Sequence, residues 1–428
     1  MSELANESSR AGLTQRFPLG DRIEVDALVD QLRTEPDGGR LTVGDPRVVE
    51  FLTKFARKLL APATARRFPE LASLGFFLRK GEIAKALSSV ESQGDAMRFP
   101  RGLVFHVPPA NVDTIFVYSW ALSALAGNHN VVRVSSRSAG AAETVIEALN
   151  AALSDVDEAT ARAITATQRM VTYDRSDAIS GALSKAADLR VIWGGDTSVN
   201  ALRQYPLAPH ARDLTFPDRS SFAIASVKGW QEASEAERKA AAEGFYNDSY
   251  WFDQAACSSP RAVFWVGDAG GAAEAGAEFR KLLAGVLAVK EHVTEPAMAV
   301  QKRVSAYGAA VDGLITKISF DGAGADVNGV ATLELADSAT MPREWLGAGT
   351  FAHGSVRTLD EIVPIVVRKD QTVSQFGFTR EELVDFASKM AGRGVDRIVP
   401  FGSALTFSAI WDGYDLLGEF SRLVTVHT

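Results

Sequence analysis

Cysteine is nearly absent from this chain: there is one, Cys257, in 428 residues. A single thiol excludes an internal disulfide and any multi-cysteine metal site, and it suits a reducing cytosol. A basic surplus is missing too. Lys and Arg number 45 against 53 Asp and Glu, a net charge of −8, which leaves no electrostatic reason to expect nucleic acid as a partner. Long hydrophobic runs are also lacking. The longest, approximately 114–127, is interrupted by polar residues and is shorter than the ~20 residues that span a bilayer, so it reads as a buried helix. The first ten residues, Met1 to Arg10, are polar and lack the apolar core of a secretion signal; a cytoplasmic location is the expectation. There is no Gly-x-Gly-x-x-Gly fingerprint, no internal repeat and no low-complexity segment.

What is present is ordinary globular composition, 46% hydrophobic and 23% charged, in a chain too long for one compact core. Residues 1 to about 15 are expected to be irregular, followed by a mostly helical region. Asp45 as N-cap and Pro46 at the first helical position start a helix whose Val48, Phe51, Leu52, Phe55, Leu59 and Leu60 share one face. Further helices are expected over 70–77 and 82–90. From residue 99 short apolar strands alternate with helices: strands at 102–107, 131–134, 170–173 and 189–193, helices over 112–126, 139–153 and 178–187. That alternation requires a parallel sheet with right-handed crossovers, so this half is α/β, a Rossmann-like dinucleotide-binding domain.

Three of its turns carry chemistry. After the first strand, Pro108 and Pro109 fix the backbone ahead of Asn111, whose amide is either a helix cap or a ligand. At the carboxyl end of the next strand, where open α/β sheets bind ligands, Arg133, Ser135, Ser136 and Arg137 suit an adenosine ribose. No acidic residue stands there, which leaves room for a 2′-phosphate; the same residues would equally serve as a solvated helix start. At the third turn, Gly194 and Gly195 precede a helix near Val199, with Thr197 and Ser198 beside them. Glycines let backbone N–H groups approach a pyrophosphate at the positive end of a helix.

A second α/β region follows. The segment 234–250 reads as one helix leading to Cys257, with helices over 272–289 and 296–310. The strand expected at 222–226 belongs to the nucleotide domain; those of the second region are expected at 262–266, 315–320, 331–335, 362–367 and 397–399, and the strand-like 423–426 is a candidate edge for pairing with another subunit. The chain is thus divided into 1–98, a helical region packing on the nucleotide domain; 99–228, the nucleotide domain; 229–403, the cysteine domain; and 404–428, a return segment.

Cys257 is either a small buried hydrophobe or a nucleophile. Ser258-Ser259-Pro260-Arg261 breaks any helix just after it and an apolar strand follows, which puts the thiol at a loop-to-strand junction, where reactive side chains tend to be presented. A thiolate attacks carbonyl carbon well and holds an acyl group as a still-reactive thioester. Trp251, Phe252, Trp265, Phe376 and Phe378 either line an apolar tunnel or belong to the core.

Taken in order, Pro109-Ala110-Asn111, the strand end from Gly127-Asn128 through Val131-Val132-Arg133-Val134-Ser135, Gly194-Gly195 and Cys257 resemble the aldehyde dehydrogenase superfamily. His106-Val107-Pro108, Trp193-Gly194-Gly195, Asp253-Gln254 before Cys257, Asp370-Gln371-Thr372-Val373 and Trp411-Asp412-Gly413 make the chain most similar to its long-chain acyl-CoA reductase (LuxC-type) family. The resemblance covers about residues 100–428.

It implies an aldehyde dehydrogenase-like fold and reduction of a fatty acyl thioester, acyl-CoA or acyl-protein, to the aldehyde through an acyl group held on Cys257. Asn111 and the Cys257 backbone N–H match the superfamily's oxyanion donors. Arg133 stands where the superfamily has a ribose-binding lysine. Ser136 falls about where NAD-preferring members carry a glutamate, so NADPH is favoured, with NADH as second choice. The family's bioluminescent members receive acyl groups from an acyl-protein synthetase subunit, so such a partner is implied, as is a homo-oligomer.

Hydrolytic members carry a glutamate base in Glu-Leu-Gly-Gly-Lys, where this chain reads Asp213-Leu214-Thr215-Phe216-Pro217-Asp218-Arg219-Ser220. Asp213 could serve instead. Without a base to activate water the acyl-enzyme would exchange with thiols, which favours reduction of activated acids over oxidation of aldehydes. The competing readings are an NAD(P)-dependent oxidative aldehyde dehydrogenase and a cysteine acyltransferase or thioesterase without a redox cofactor. The latter needs a histidine base, and His210, His292 and His353 are the candidates.

Overall fold

The computed structural model describes residues 12–90, 96–109, 115–136, 140–323 and 326–427. The chain separates into two compact units, Met1–Pro217 with Phe407–Thr428, and Asp218–Thr406. Both are α/β.

In the first unit β1 (Gly12–Phe17) and β2 (Leu19–Glu24) form a hairpin, and β3 (Ala96–Pro100) stands apart from the main sheet. The strands β4 (Leu103–Val107), β5 (His129–Arg133), β6 (Gln168–Thr172), β7 (Leu189–Trp193) and β8 (Arg212–Phe216) are all parallel. The sheet order is β2-β1-β6-β5-β4-β7-β8, with β1 antiparallel to β6. The strand order therefore reverses at β4. In open sheets of this kind the crevice outside the carboxyl ends at the reversal is the ligand site, and the turns after β5, β4 and β7 are the three singled out above.

Apolar spacing explains the packing. The helix Pro46–Leu59 starts at Asp45, whose carboxylate accepts the Arg47 amide at 3.0 Å, and it buries Val48, Phe51, Leu52, Phe55 and Leu59. Phe51 and Phe55 meet Trp120 edge-on at 6.2 and 6.5 Å, a favoured aromatic geometry. The Trp120 indole donates to Gln168 Oε1 at 2.8 Å, so the polar end of this buried ring is satisfied. Trp411-Asp412-Gly413-Tyr414 forms a tight hairpin: Asp412 and Gly413 take φ of 49° and 75°, as a type I′ turn demands.

The second unit holds β9 (Ser220–Ser226), β10 (Pro260–Val266), β11 (Ile315–Ala323), β12 (Asp326–Leu335), β13 (Thr350–Val356), β14 (Asp370–Phe376) and β15 (Arg397–Pro400). Their order is β11-β12-β13-β10-β9-β14-β15, parallel except for β11 against β12. Trp230, Trp265, Phe279 and Phe376 pack edge-to-face on one side of it. Two of the suggested tunnel aromatics, Trp265 and Phe376, are thus core residues, while Trp251 and Phe252 are half-buried in the cysteine loop.

Several expectations change. The expected irregular start overlaps β1 at residues 12–15. The boundary drawn at 228/229 falls at 217/218, because the buried run Phe222-Ala223-Ile224-Ala225 is central to the second sheet rather than the last strand of the first. The return segment begins at Phe407 rather than 404. No strand covers 362–367: Ile362, Ile365 and Val366 are buried from a turn that follows a short 3-10 helix, so apolarity alone misled. The strand at 350–356 was missed. The C-terminal strand Ser421–Thr425 pairs antiparallel with β3 of its own chain. Among the described residues no helix is long and apolar enough to cross a membrane.

Candidate active site

In the first unit the sequence-predicted residues gather at one end of the sheet. Pro108 and Pro109, both half-buried, leave β4, and Gly194 and Gly195 leave β7. Gly195 caps the helix Asp196–Arg203 with no side-chain bond, and Thr197 and Ser198 are exposed in its first turn. That leaves the positive helix end open to an anion. Arg133 ends β5 with its guanidinium carbon 4.9 Å from the centre of the Tyr173 ring. Its Nε is buried and has no hydrogen-bond partner among the described residues. Ser135 and Ser136 follow it, Ser136 exposed. Asn111 and Arg137 lie outside the described residues.

His106 is not part of an open site. It is fully buried, with Nδ1 at 3.0 Å from Ser119 Oγ and Nε2 at 2.9 Å from Asn130 Oδ1, and burial pushes its pKa down to about 4. Asn128 belongs to the same polar layer. Its amide oxygen accepts the Arg101 and Gly102 amides and its nitrogen donates to the Phe420 carbonyl at 2.8 Å. These two motif residues therefore hold the sheet together.

Cys257 lies half-buried in the loop between the helix Glu235–Tyr250 and β10. The loop is held from three sides. Ser221 on β9 donates its hydroxyl to the Cys257 carbonyl at 2.7 Å and accepts the Thr372 amide at 3.1 Å. Gln254 is buried, donating to the Pro260 and Thr350 carbonyls at 2.8 and 3.1 Å and accepting the Thr350 amide at 3.0 Å. Asp253 and Gln254 both take positive φ, 49° and 59°, an uncommon conformation that the surrounding bonds hold in place. Ser259 donates to the Asp248 carbonyl at 2.7 Å.

Charges surround this loop in the second unit. Asp370, fully buried, binds Arg343 through both oxygens at 2.8 and 2.9 Å and accepts the Ser220 hydroxyl at 3.0 Å. Arg219 pairs with Asp396 at 2.6 Å. The Asp248 carboxylate accepts the Gly402 and Ala404 amides at 2.8 and 2.9 Å, yet burial pushes its pKa up to about 7. Arg261 is buried at the head of β10, and burial pulls its pKa down from the usual guanidinium value.

The candidate bases resolve differently. Asp213 is bound to Arg190 through both oxygens at 2.7 and 3.0 Å, so its lone pairs are committed to an ion pair. His210 bonds Asp188 at 3.0 Å in the first unit. His353 is buried in β13, with its pKa driven down to about 3 by burial. His292 sets its ring against Tyr250 at 5.1 Å. Among the described residues no three His, Cys, Asp or Glu are placed to hold a metal ion.

Sequence reasoning missed Ser221, Asp248, Arg261 and Tyr173. Two carried a signal. Ser220-Ser221 puts hydroxyls at the start of an otherwise apolar strand, and Arg261 interrupts the apolar run of β10; polar residues buried in strands need a reason.

Residues 86–423 match the family described as acyl-CoA reductase (LuxC). The chain is 25% identical over 334 residues to the long-chain acyl-protein thioester reductase of Photorhabdus laumondii subsp. laumondii, covering 76% of this chain and 63% of that protein. To the protein of the same name from Aliivibrio fischeri it is 23% identical over 332 residues, with the same coverage. The matched region thus spans just under two thirds of the length of these curated relatives. Among solved structures, an NAD-dependent aldehyde dehydrogenase from Sinorhizobium meliloti superimposes with a TM-score of 0.65 at 15% identity, covering 95% of this chain and 86% of that one. An aldehyde dehydrogenase from Mycobacterium tuberculosis complexed with NAD+ gives 0.64 at 12% identity, covering 95% and 91%. At such identities the likeness is one of fold, and the fold is aldehyde dehydrogenase-like. With the family match running through both units, this chain belongs to the acyl-CoA reductase (LuxC) family.

Proposed function

We propose that the protein reduces a fatty acyl thioester, carried on coenzyme A or on a protein, to the aldehyde, with NADPH as the preferred nicotinamide cofactor and NADH as the alternative. The observation that carries this reading is the cysteine loop: a half-buried thiol on a backbone fixed through Ser221 and Gln254, in a chain of this family. Cys257 would attack the thioester carbon, expel the carrier thiol and keep the acyl group as a thioester. Its own backbone N–H and the Asn111 amide would donate to the oxyanion. When bound, the reduced nicotinamide supplies the hydride that the acyl carbon requires.

Features of the first unit support that cofactor. The orphaned Arg133 Nε and the exposed seryl hydroxyl of Ser136 would take the ribose and its 2′-phosphate, together with Ser135 and Arg137. Gly194, Gly195, Thr197 and Ser198 would hold the pyrophosphate at the helix start, against the wall made by Pro108 and Pro109. The M. tuberculosis structure of like fold binds NAD+. The first unit would bind the nucleotide and the second would hold the acyl group.

Commitment of Asp213 to Arg190 supports reduction over oxidation, since it ties up the candidate base of that segment. The relatives are acyl-protein thioester reductases, which supports an acyl-protein donor and a synthetase-type partner. Exposed Met97, Phe99, Leu423 and Val424 on the ribbon of β3 and the C-terminal strand support its pairing with another subunit.

Incubation with NADPH and a panel of acyl-CoAs tests the reading. Equimolar aldehyde, oxidised cofactor and released thiol are expected. Steady thiol release without cofactor oxidation would establish the acyltransferase or thioesterase reading instead. Free acid formed from aldehyde and NADP+ at equal rates with and without coenzyme A would establish the oxidative one.

A further inference from the structure

The far end of the first unit's sheet holds a second concavity. At the amino ends of β4, β5 and β7, away from the turns at their carboxyl ends, a cleft of about 590 Å³ opens over an apolar floor that includes Leu32, Leu41 and Leu103. Its size lies within the range of small-molecule sites. Asp188 fixes the floor: its carboxylate accepts the Leu103 amide at 2.8 Å and bonds His210 at 3.0 Å. Gly102, at φ 132°, lies so close that a Cβ would stand 2.1 Å from Asp188 Oδ2, so only glycine fits there.

The charge of this cleft runs against that of the chain, which is net acidic. Arg33, Arg101, Lys185 and Arg422 line it, and among the described residues none of them has a carboxylate at ion-pair distance. Asp188 is occupied, and the other lining acid, Glu35, is exposed with Arg40 at 3.5 Å. Arg101 stands out. It is half-buried, and its Nε donates to the Glu419 backbone carbonyl. Arg212 Nη2 reaches the same carbonyl at 3.4 Å and takes the Glu419 carboxylate as well. Of the two arginines at Glu419, Arg212 therefore holds the charge and Arg101 is left with a backbone oxygen. The Arg101 Nη groups make no hydrogen bond among the described residues. Burial, and after it the charges of Arg212 and Arg422, pull the Arg101 pKa below the usual guanidinium value. Like charges drawn together out of water repel, and an anion seated among them removes that cost.

We propose that this cleft is a binding site for an anion carrying two or more phosphate groups, separate from the turns at the carboxyl ends of the same strands. Arg33 and Lys185 come from the last turns of the helices Val25–Arg33 and Asp177–Ala186, Arg101 from the step into β4 and Arg422 from the C-terminal strand, so four elements of one unit supply the cations. Their charge exceeds that of one carboxylate or one phosphate. The guanidinium fork matches phosphate oxygens in paired hydrogen bonds, and the lysine adds a point charge. A free polyphosphate and a nucleoside polyphosphate present the same oxygens to these residues. The site depends neither on Cys257 nor on the nicotinamide cofactor.

Isothermal titration calorimetry of the full-length protein at low salt, without cofactor and with inorganic tripolyphosphate as the probe, tests the site. Tripolyphosphate should bind the wild type, and Arg101→Met should weaken it about tenfold or more. The double variant Lys185→Ala, Arg422→Ala removes two exposed side chains and should weaken it at least as much, so the result does not hang on Arg101→Met folding. Arg133→Ala, at the carboxyl end of β5, should leave the affinity unchanged. Absence of binding to the wild type would overturn the proposal. So would undiminished affinity in the folded double variant, or a loss confined to Arg133→Ala, which would put the anion at the turns instead. ADP titrated into the Arg133→Ala protein identifies the source: binding tighter than that of tripolyphosphate and lost in the double variant marks a nucleotide, and weaker binding marks a free polyphosphate.

Discussion

The Ser221 hydroxyl stands 2.7 Å from the Cys257 carbonyl oxygen and donates to it, while taking the Thr372 amide from the neighbouring strand at 3.1 Å. One side chain thereby fixes the reactive loop to two strands. In Ser221→Ala both the Cys257 carbonyl and the Thr372 amide lose their partner. Chemical denaturation should show a loss of about 1–3 kcal/mol. The turnover number for thioester reduction should fall with it, while the KM for the cofactor should not move.

Gln254 makes three bonds from a buried position, to Pro260 and to both backbone groups of Thr350. Gln254→Ala should therefore cost more than Ser221→Ala, about 2–4 kcal/mol, and should slow alkylation of Cys257 by a bulky maleimide less than it slows turnover, since the loop loosens rather than closes. Equal stability of the two variants in urea titrations would show that the clamp is not what holds the loop.

Asp248 gives a pH dependence. Burial raises its carboxyl from 3.8 to about 7, outweighing the Gly402 and Ala404 amides. Between those two values the folded chain keeps a proton that the unfolded chain has released. The contribution to stability is thus full below about 4 and is lost as pH rises through about 7. Urea midpoints of the wild type, relative to Asp248→Asn, should fall from pH 5 to pH 8. A difference independent of pH would contradict the assignment.

Arg133 ends β5 with an orphaned Nε over the Tyr173 ring. Arg133→Ala should raise the KM for NADPH about tenfold or more and that for NADH by much less, in line with the loss of a charge-assisted phosphate contact. Equal effects on both cofactors would remove the 2′-phosphate argument. Direct cofactor titration by fluorescence separates this from any change in turnover.

The parts legible in the sequence were those written in local pattern. Alternating apolar strands and amphipathic helices from residue 99 onward announced the parallel sheets, and Ser258-Ser259-Pro260 announced the junction beside the thiol. Less legible were features that depend on distant partners. Asp213 read as a candidate base until Arg190, 23 residues earlier, was found to hold both its oxygens. His106 read as part of a motif at a turn, but Ser119 and Asn130 make it a buried structural residue. Ile362, Ile365 and Val366 read as a strand because apolarity reports burial and not backbone shape. The placement of β9 in the second sheet could not be read locally, since its apolar run suits either sheet.

The central claim is that Cys257 carries the acyl group. The most direct measurement is intact-protein mass spectrometry after mixing with a long-chain acyl-CoA in the absence of nicotinamide, followed by peptide mapping. The account predicts a mass increase of one acyl group, confined to the peptide containing Cys257, removed by hydroxylamine and discharged as aldehyde when NADPH is added. An unmodified Cys257 in a protein that still yields aldehyde on adding NADPH would contradict it.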